Sequence, residues 1–321
     1  MRACKWMLPA LMLCLLFVVP AGALVDHDPI VINSDTGFTS GGYPGSGTVD
    51  DPYRIEGYRI ITDSLHRNGV EVRGTSAYFV VRGCVIDADY IGVLVEHTTA
   101  NTGSIVDNVI KGRTGDGGGI SLGADGVSVV NNICSGFMIG VHTNYADGCV
   151  FRLNNFSYNA YHGMNIRYSD DCVVTQNTVV GNGAHGIFII RDSTGNRVYN
   201  NTVSGNSALE SYTWDDIYSL TVTSQGCDEG RGNTWYDEST KTGNQWSDYT
   251  GTGTYKIDGS AGAVDKYPIT TGGQAAEPAA PSGGIPSFRL ISMVFGLILW
   301  LSIILLRGSN HDQLFSTSLD G

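Results

Sequence analysis

Basic residues are scarce in this chain of 321 residues. It contains 19 lysines and arginines against 31 aspartates and glutamates, and charged residues make up only 16% of it. The lysines and arginines form no cluster, whereas proteins bind nucleic-acid phosphates through a basic face. The formal net charge of -12 therefore argues against nucleic acid as a partner. It suits a soluble exterior, or a site for cations or neutral sugars.

Cysteine is also sparse, and two of the seven cysteines, Cys4 and Cys14, lie close to the N-terminus. The residues around them have the features of a secretory signal peptide: an early positive charge, an apolar stretch over residues 7–19 and the small residues Ala-Gly-Ala at 21–23. No cysteine directly follows the apolar stretch, which excludes a lipoprotein. We therefore predict that residues 1–23 are a signal peptide and that the chain is exported.

Glycine is abundant, with 43 residues, and it marks a short repeat between positions 91 and 206. One half of the repeat is a glycine that opens an apolar run, at Gly92, Gly119, Gly140, Gly163 and Gly186. The other half is an asparagine followed four positions later by Gly or Asn, at Asn108, Asn132, Asn155, Asn177 and Asn201. Two short alternating runs joined by turn residues predict strands, and the period is too short for a helical pair.

One such repeat cannot bury its apolar side alone, so it must stack on its neighbours. Stacking at about 4.8 Å per turn places equivalent residues in columns. The two predicted inward columns are nearly all apolar: Val93, Ile120, Val141, Met164 and Ile187, and Val95, Leu122, Thr143, Ile166 and Ile189. The asparagines form a third column, in which each amide bonds the next. We predict an all-β fold, a single-stranded right-handed parallel β-helix.

The C-terminal part adds a membrane segment. Residues 290–306 are almost entirely apolar, and a helix counted from residue 285 to 306, roughly 33 Å long, would cross a bilayer core. We predict a transmembrane α-helix there, with the solenoid outside the cell as the signal peptide requires. The predicted division is a signal peptide at 1–23, an N-terminal cap at 24–66, β-helix repeats at 67–206, last turns and a C-terminal cap at 207–269, a linker at 270–284, the membrane helix at 285–306 and a cytoplasmic tail at 307–321.

The outward side chains of the first strand in each repeat, and of the turn after it, are candidates for a ligand site. Tyr145 and Tyr168 lie one repeat apart, so their rings would stack along one face and meet a sugar. The predicted ligand-binding set is Tyr145, Tyr168, Asn165, Arg167, Asp147, Asp170, His142 and Arg191. The alternative is that these tyrosines are ordinary surface residues.

An acidic column runs beside this set, at Asp125, Asp147, Asp170 and Asp192. Carboxylates stacked about 5 Å apart repel each other by roughly 1 to 3 kcal/mol per pair. Turn hydrogen bonds would relieve this repulsion. Calcium bound by Asp147, Asp170 and Asp192 is the functional alternative, and acid/base hydrolysis by two of the carboxylates is a third.

Two histidines are also one period apart. His162 and His185 precede equivalent glycines, so their rings should lie one turn apart. They would hold copper or zinc if His142, Met138 or Met164 supplied further ligands. The alternative is that both histidines pack in a turn.

Cys149 and Cys172 occupy equivalent places in successive repeats, where each begins the second strand. Adjacent turns would bring them roughly 5 Å apart, within disulfide range, and export permits the bond. The alternative is a pair of stacked core thiols.

Several stretches resemble NosD-like right-handed β-helix proteins, a family also described as a carbohydrate-binding and sugar-hydrolase repeat. The resemblance lies in Asn-Thr-Val-Val-Gly-Asn at 177–182, Asn-Thr-Val-Ser-Gly-Asn at 201–206, and the ending at 243–249 with 265–268. The opening at 45–48 and 51–58 resembles archaeal surface members. The resemblance covers about residues 30–269.

The resemblance implies one of several roles: copper delivery in the periplasm, or binding or cleavage of polysaccharide. The chain has no active-site motif of a polygalacturonase or pectate lyase. We therefore predict a membrane-anchored protein that binds cell-surface or extracellular polysaccharide without catalysis, with calcium as its candidate cofactor. The alternatives are a polysaccharide lyase or glycoside hydrolase, a copper-binding protein, and a structural surface protein.

Overall fold

The computed structural model describes residues 24–62, 67–190, 192–206, 209, 211–214 and 218–270, with the backbone alone for 212–214 and 218–219. The predicted signal peptide, the membrane helix at 285–306 and the cytoplasmic tail lie outside these residues, as does nearly all of the predicted linker. Within the described ranges, no helix has both the length and the apolar character needed to cross a membrane.

Most strands of the chain belong to three parallel sheets, which we name A, B and C. Sheet A contains β1 (Val25–His27), β4 (Tyr58–Ile61), β7 (Val85–Ala88), β10 (Val109–Gly112), β13 (Ile133–Ser135), β16 (Asn155–Phe156), β19 (Thr178–Val180), β22 (Thr202–Ser204) and β26 (Gln245–Trp246). Sheet B contains β2 (Ile30–Ile32), β5 (Val70–Arg73), β8 (Ile91–Glu96), β11 (Gly118–Gly123), β14 (Ile139–Asn144), β17 (His162–Arg167), β20 (Ile187–Ile190) and β25 (Gly226–Asp228). Sheet C contains β3 (Tyr53–Glu56), β6 (Phe79–Arg82), β9 (Gly103–Val106), β12 (Ser128–Val130), β15 (Val150–Arg152), β18 (Val173–Thr175) and β21 (Arg197–Tyr199).

The chain visits sheets A, B and C in turn, so each circuit is one coil of a parallel β-helix. In sheet B the register joins Val93 to Ile120, Ile120 to Val141, Val141 to Met164 and Met164 to Ile187. Both predicted inward columns are buried along their whole length. The predicted parallel β-helix is therefore confirmed.

The corners between sheets C and A explain why asparagine recurs. From the corner between β6 and β7 to the corner between β21 and β22, each corner has one residue with left-handed backbone, with φ between 55° and 61° at Gly83, Asp107, Asn131, Leu153, Gln176 and Asn200. The next residue points inward, and from Asn108 onward it is an asparagine. Successive asparagines are joined through their amides: the Oδ1 of Asn132 accepts from the backbone N–H and the Nδ2 of Asn108, at 3.1 and 2.9 Å.

The ladder consists of Asn108, Asn132, Asn154, Asn177, Asn201 and Asn244. The prediction of Asn155 as a member was wrong by one residue. Leu153 takes the left-handed position, which turns Asn154 inward and leaves Asn155 on the outward face of sheet A. The sequence has asparagine at both positions, so the repeat spacing alone did not separate them.

A second ladder follows sheet A. It joins Asn159, Asn182, Asn206 and Gln225, again through side-chain amides in successive coils. The ladder residues are buried, and each amide bond satisfies polar groups that would otherwise be unpaired in the core.

Both ends of the solenoid are covered. Helix α1 (Asp35–Ser40) places Phe38 over the first coil, stacked on Tyr53 with ring centroids 4.7 Å apart. The coils already begin at β1, so the predicted cap at 24–66 also supplies four strands. At the other end Trp235 and Trp246 are buried, and the strands β27 (Tyr255–Lys256) and β28 (Val264–Asp265) form a small antiparallel pair.

Between Asn206 and Gln225 the chain leaves the solenoid and returns across the outside of sheet B. We call this segment the excursion. This excursion contains the antiparallel pair β23 (Ser211–Trp214) and β24 (Tyr218–Thr221). Its Leu220 packs with Phe188 and Ile190 in a second apolar cluster, against which Leu209 and Val222 also lie. The outward face of β20 is therefore covered.

Cys149 and Cys172 are buried free thiols in the structure. Their Sγ atoms are directed at the carbonyls of Ala124 and Ala146, at 3.5 and 3.4 Å. The predicted disulfide is not formed, and the alternative of stacked core thiols is the arrangement found.

Candidate functional site

Two tyrosine rings form a ledge at the end of sheet B. Tyr145 follows β14 and Tyr168 follows β17, both with left-handed backbone, at φ 58° and 45°. The rings stack with centroids 4.7 Å apart and planes only 3° from parallel. We call this pair the tyrosine ledge. Of the predicted ligand-binding residues, these two tyrosines lie in the closest arrangement, and their rings stack as the spacing predicted.

One face of the ledge is open. Leu122 pairs with Thr143 and Asp125 accepts the N–H of Asp147, so the coil before Tyr145 is one residue shorter between these points and has no residue in the place of Tyr145. Tyr145 is consequently 65% exposed. Tyr168 is half-buried, with the Arg167 guanidinium carbon 5.3 Å from its ring centroid. The ledge therefore offers the exposed ring of Tyr145 with a cation close by.

A polar cleft of about 610 Å³ begins at Tyr168. Its walls come from Asp192, from the loop after β25 with Glu229 and Arg231, and from a turn containing Ser260. The Ser260 hydroxyl donates to a Glu229 carboxylate oxygen. Arg231 Nη2 lies 3.6 Å from Asp192 Oδ1, and these side chains are 82% and 77% exposed. Donors and acceptors thus face solvent beside the tyrosine ledge.

The sequence did not point to Glu229, Arg231 or Ser260 as site residues. They lie after the region where the repeat loses its register, and the excursion separates them from Tyr168 along the chain. The available signal was local: the run Asp-Glu-Gly-Arg-Gly at 228–232 combines charge with turn-forming glycines.

Asp192 belongs to this cleft and not to the acidic column. The backbone N–H of Ser169 donates to the hydroxyl of Ser193 one coil later, whereas Ile166 pairs with Ile189 in the same two coils. Ser169 and Ser193 are therefore one position further apart in the sequence than Ile166 and Ile189 are. The coil that contains Asp192 thus has one extra residue between Ile189 and Ser193. This extra residue moves Asp192 out of line with Asp170.

The remaining acidic column is satisfied by the backbone. Asp125 Oδ1 accepts the N–H of Asp147 at 2.9 Å, Asp147 Oδ1 accepts that of Asp170 at 2.8 Å, and Asp170 Oδ1 accepts that of Thr194 at 2.7 Å. A backbone dipole thus lies between successive carboxylates and offsets their repulsion. Hydrogen bonds thus relieve the repulsion in the acidic column, as one of the alternatives from the sequence proposed. The bonds join successive coils, however, and do not lie within a single turn.

The described residues include no group of three or more His, Cys, Asp or Glu side chains arranged to hold a metal ion. The calcium set of Asp147, Asp170 and Asp192 is accordingly not brought together. Two of its carboxylates bind backbone N–H groups and the third faces Arg231.

His162 and His185 do stack one coil apart, with ring centroids 6.4 Å apart and an interplanar angle of 11°. Both are fully buried. His162 Nδ1 lies 3.1 Å from the His185 carbonyl, and His185 Nε2 lies 2.9 Å from Asp258 Oδ2. Met164 is buried in the core and belongs to the inward column. The donors proposed for copper do not converge, so the residues present do not fit that metal.

Burial, with a smaller contribution from His185, lowers the pKa of His162 to about 3. The pKa of Asp258 is lowered, whereas burial alone raises the pKa of an acid. Burial raises its pKa, but hydrogen bonds from His185, Thr223 and Ser224 outweigh this and lower the pKa of Asp258 to about 2. Asp258 thereby links the end of the excursion to sheet B through an ionised carboxylate.

Asn165, a member of the predicted ligand-binding set, is covered, as is its neighbour Phe188. Asn165 is 1% exposed and Phe188 is fully buried, although their register places them on the outward face of sheet B beside His142. For Phe188 the excursion is the physical reason, because apolar residues of the excursion pack on this side of β20. His142 is half-buried. Arg191 lies outside the described residues.

A sequence profile described as "Right handed beta helix region" matches residues 68–228. A comparison with curated proteins finds no match. Among solved structures, the C387A mutant of DFA-IIIase from Arthrobacter chlorophenolicus, in complex with DFA-III, is 15% identical, with 67% of this chain and 58% of that chain covered and a TM-score of 0.42. The A-module of the mannuronan C-5 epimerase AlgE6 from Azotobacter vinelandii is 18% identical, with coverage of 65% and 53% and a TM-score of 0.40. The Dettilon tailspike protein is 15% identical, with coverage of 66% and 44% and a TM-score of 0.42.

The chain spans between 44% and 58% of the length of these three structures. At such identities and TM-scores, these likenesses support no conclusion about the activity of this chain. The sequence profile is the stronger finding, because its match begins with the coil of β5 and ends with β25 and covers half of the chain. The protein belongs to the right-handed β-helix family.

Proposed function

We propose that the protein binds a neutral glycan along the tyrosine ledge and in the adjoining cleft, without transforming it. The observation that carries this proposal is the open, stacked pair of Tyr145 and Tyr168 leading into a cleft lined by carboxylates and a guanidinium. Small-molecule sites combine apolar or aromatic walls with a few placed polar groups and occupy about 300–1,000 Å³. The cleft, at about 610 Å³, is of that size.

A sugar ring matches both surfaces. Its C–H face is apolar and packs on an aromatic ring, while its hydroxyls donate and accept hydrogen bonds at the ring edge. Tyr145 supplies the exposed aromatic face. Asp192 and Glu229 supply acceptors for hydroxyl protons, and Arg231 supplies donors.

The charges of the cleft favour a neutral ligand. Asp192 and Glu229 bring two negative charges against the one positive charge of Arg231, and the whole chain carries -12. A polyuronate or sulfated chain would meet repulsion at the cleft and from the protein's field. A neutral polysaccharide would not.

The cellular setting is part of the proposal. The predicted signal peptide at 1–23 and the apolar segment at 285–306 support an exported β-helix held at the cell membrane by a single C-terminal helix. Of the roles implied by the NosD-like resemblance, polysaccharide binding is the one that the ledge and cleft favour. Copper delivery lacks converging ligands among the described residues.

The proposal is tested with the full chain on an array that carries neutral and acidic oligosaccharides. We expect binding to neutral members, abolished in the Tyr145→Ala/Tyr168→Ala double variant. Tyr158→Ala is the matched control, because Tyr158 is 63% exposed and also has left-handed backbone but lies at the corner after sheet A. Binding of no glycan would remove the proposal. Equal loss in the Tyr158→Ala variant would show that the ledge is not the site.

A further inference from the structure

Asn165 is a polar residue that the fold buries without a partner. It lies in β17 on the outward face of sheet B, in register with His142 on one side and Phe188 on the other. The residue is 1% exposed, and neither Nδ2 nor Oδ1 of its amide has a hydrogen-bond partner among the described residues. Buried polar groups in proteins are almost always hydrogen-bonded, so such an exception requires an explanation.

The contrast with the other buried asparagines is direct. Asn177 donates through Nδ2 to the carbonyls of Phe151 and Thr175 and to Asn201, while its Oδ1 accepts from Asn154. The chain therefore builds full partner sets for asparagines that serve the fold. At Asn165 an apolar side chain of similar size would suit the surroundings better, since Phe188 lies beside it and the excursion packs nearby.

The position of Asn165 relates it to the proposed site. It is two residues before Arg167 on the same strand face, and Arg167 reaches over the ring of Tyr168. The neighbouring coils on the side away from the excursion carry His142 and Ser121 in the same outward column, both only half-buried. We place the approach of a ligand from the tyrosine ledge on the side of His142, where binding must uncover the Asn165 amide, because Asn165 is only 1% exposed in the free protein.

We infer that Asn165 is a ligand-binding residue whose amide pairs with hydroxyl groups of the glycan. The amide has one acceptor oxygen and a donor NH₂ group, which together match two adjacent hydroxyls of a sugar. This inference rests on the proposed function and adds a specificity-determining contact to it. A site that leaves a buried amide unpaired in the free protein rejects ligands that lack the matching hydroxyls. Residues that oppose local stability are expected at functional sites.

The test compares Asn165→Leu with wild type in the full chain by two independent readouts. Thermal unfolding of the free protein gives Tm, and calorimetric titration gives the affinity for hexasaccharides of β-1,4-linked glucose, mannose and galactose. We expect Tm to rise by roughly 2 to 8 °C, because an unpaired buried amide is removed. We expect the affinity to fall at least about tenfold, because the ligand hydroxyls lose their partner. Asn177→Leu is the matched control and should lower Tm.

The outcomes separate this inference from the proposed function. If wild type binds a hexasaccharide through the tyrosine ledge and Asn165→Leu binds it equally well, Asn165 is no ligand residue and the glycan proposal stands. If wild type binds none of the probes, both proposals fall. An unchanged or lower Tm shows that the amide is satisfied in the free protein, by water for instance, and overturns the inference. Asn165→Val repeats the measurement, and loss of folding in both variants counts against the inference.

Discussion

At the scale of single residues, the fold depends on a left-handed residue at each corner followed by an inward side chain, in most coils an asparagine. A residue with left-handed backbone turns the chain at a corner, and the residue after it points inward. Where that inward residue is asparagine, its amide bonds the equivalent asparagine of the next coil. The repeat spacing predicted this column from sequence. It did not identify Asn154, because the identity of the inward residue is fixed by which residue adopts the left-handed conformation.

The neighbouring asparagines 154 and 155 give a controlled test of this pairing. Asn154→Ala removes the acceptor of the Asn132 N–H and Nδ2, and the donor to the Val129 carbonyl. Leaving these buried groups unpaired should cost about 3 kcal/mol of unfolding free energy. Asn155→Ala, on the outward face, should change it by less than about 1 kcal/mol. Urea unfolding of both variants measures the difference, and equal losses would contradict the assignment of the ladder.

A buried histidine makes stability depend on pH. The pKa of His162 is about 3 in the folded protein and near 6.5 when the chain is unfolded. Between these values the unfolded chain binds the proton and the folded protein does not, so stability is complete above pH 6.5 and falls as the pH is lowered towards 3. The slope contributed by this group reaches about 1.4 kcal/mol per pH unit.

We therefore expect the His162→Gln variant to show a flatter stability profile than wild type between pH 6.5 and 3. His185, stacked on His162, and Asp258 beside His185 remain in this variant. His97→Gln is the control, because its side chain is 81% exposed. Chemical unfolding at a series of pH values gives both profiles, and an unchanged profile in His162→Gln would show that this group does not produce the dependence.

At the scale of elements, the main departure from the sequence-based expectation is the excursion after Asn206. The repeat spacing correctly predicted which side chains of β17 and β20 point outward, but outward did not mean exposed. Phe188 and Ile190 are outward in register and fully buried, because the chain returns over them. The repeat pattern describes one coil and its neighbours, so it carries no information about a segment that crosses several coils.

Asp258 holds the end of this excursion against the solenoid. It accepts hydrogen bonds from the backbone N–H groups of Thr223 and Ser224, at 2.7 and 2.9 Å, and pairs with His185. Asp258→Asn should therefore speed hydrogen exchange at Thr223 and Ser224, while ladder amides such as that of Asn177 stay protected. Since the pKa of Asp258 is lowered from 3.8 to about 2, lowering the pH of wild type through this range should have the same local effect. Unchanged exchange at both residues would contradict this role.

At the scale of the whole molecule, stacking brings together residues that are far apart in the sequence. Tyr145 and Tyr168 were predictable as neighbours because they occupy equivalent places in adjacent coils. Glu229, Arg231 and Ser260 were not, because they follow the regular repeats and reach the cleft through loops. The sequence thus located the aromatic half of the candidate site, whereas the polar half depends on how the last coils close.

The polar half is tested by Glu229→Gln, which keeps the shape of the side chain and removes its charge. A hydrogen bond from a sugar hydroxyl to a carboxylate is stronger than one to a neutral amide, so affinity for the neutral hexasaccharides should fall about tenfold. Glu238→Gln is the control, since Glu238 pairs with Lys241 away from the cleft. Titration calorimetry compares the two variants, and equal affinities would remove Glu229 from the site.

The most direct measurement is a crystal structure of the protein with a bound neutral hexasaccharide. We expect one sugar ring packed on the open face of Tyr145 and the glycan continuing past Tyr168 into the cleft of Asp192, Glu229 and Arg231. A hexasaccharide bound on sheet A or sheet C, with the tyrosine ledge bare, would contradict the proposed function.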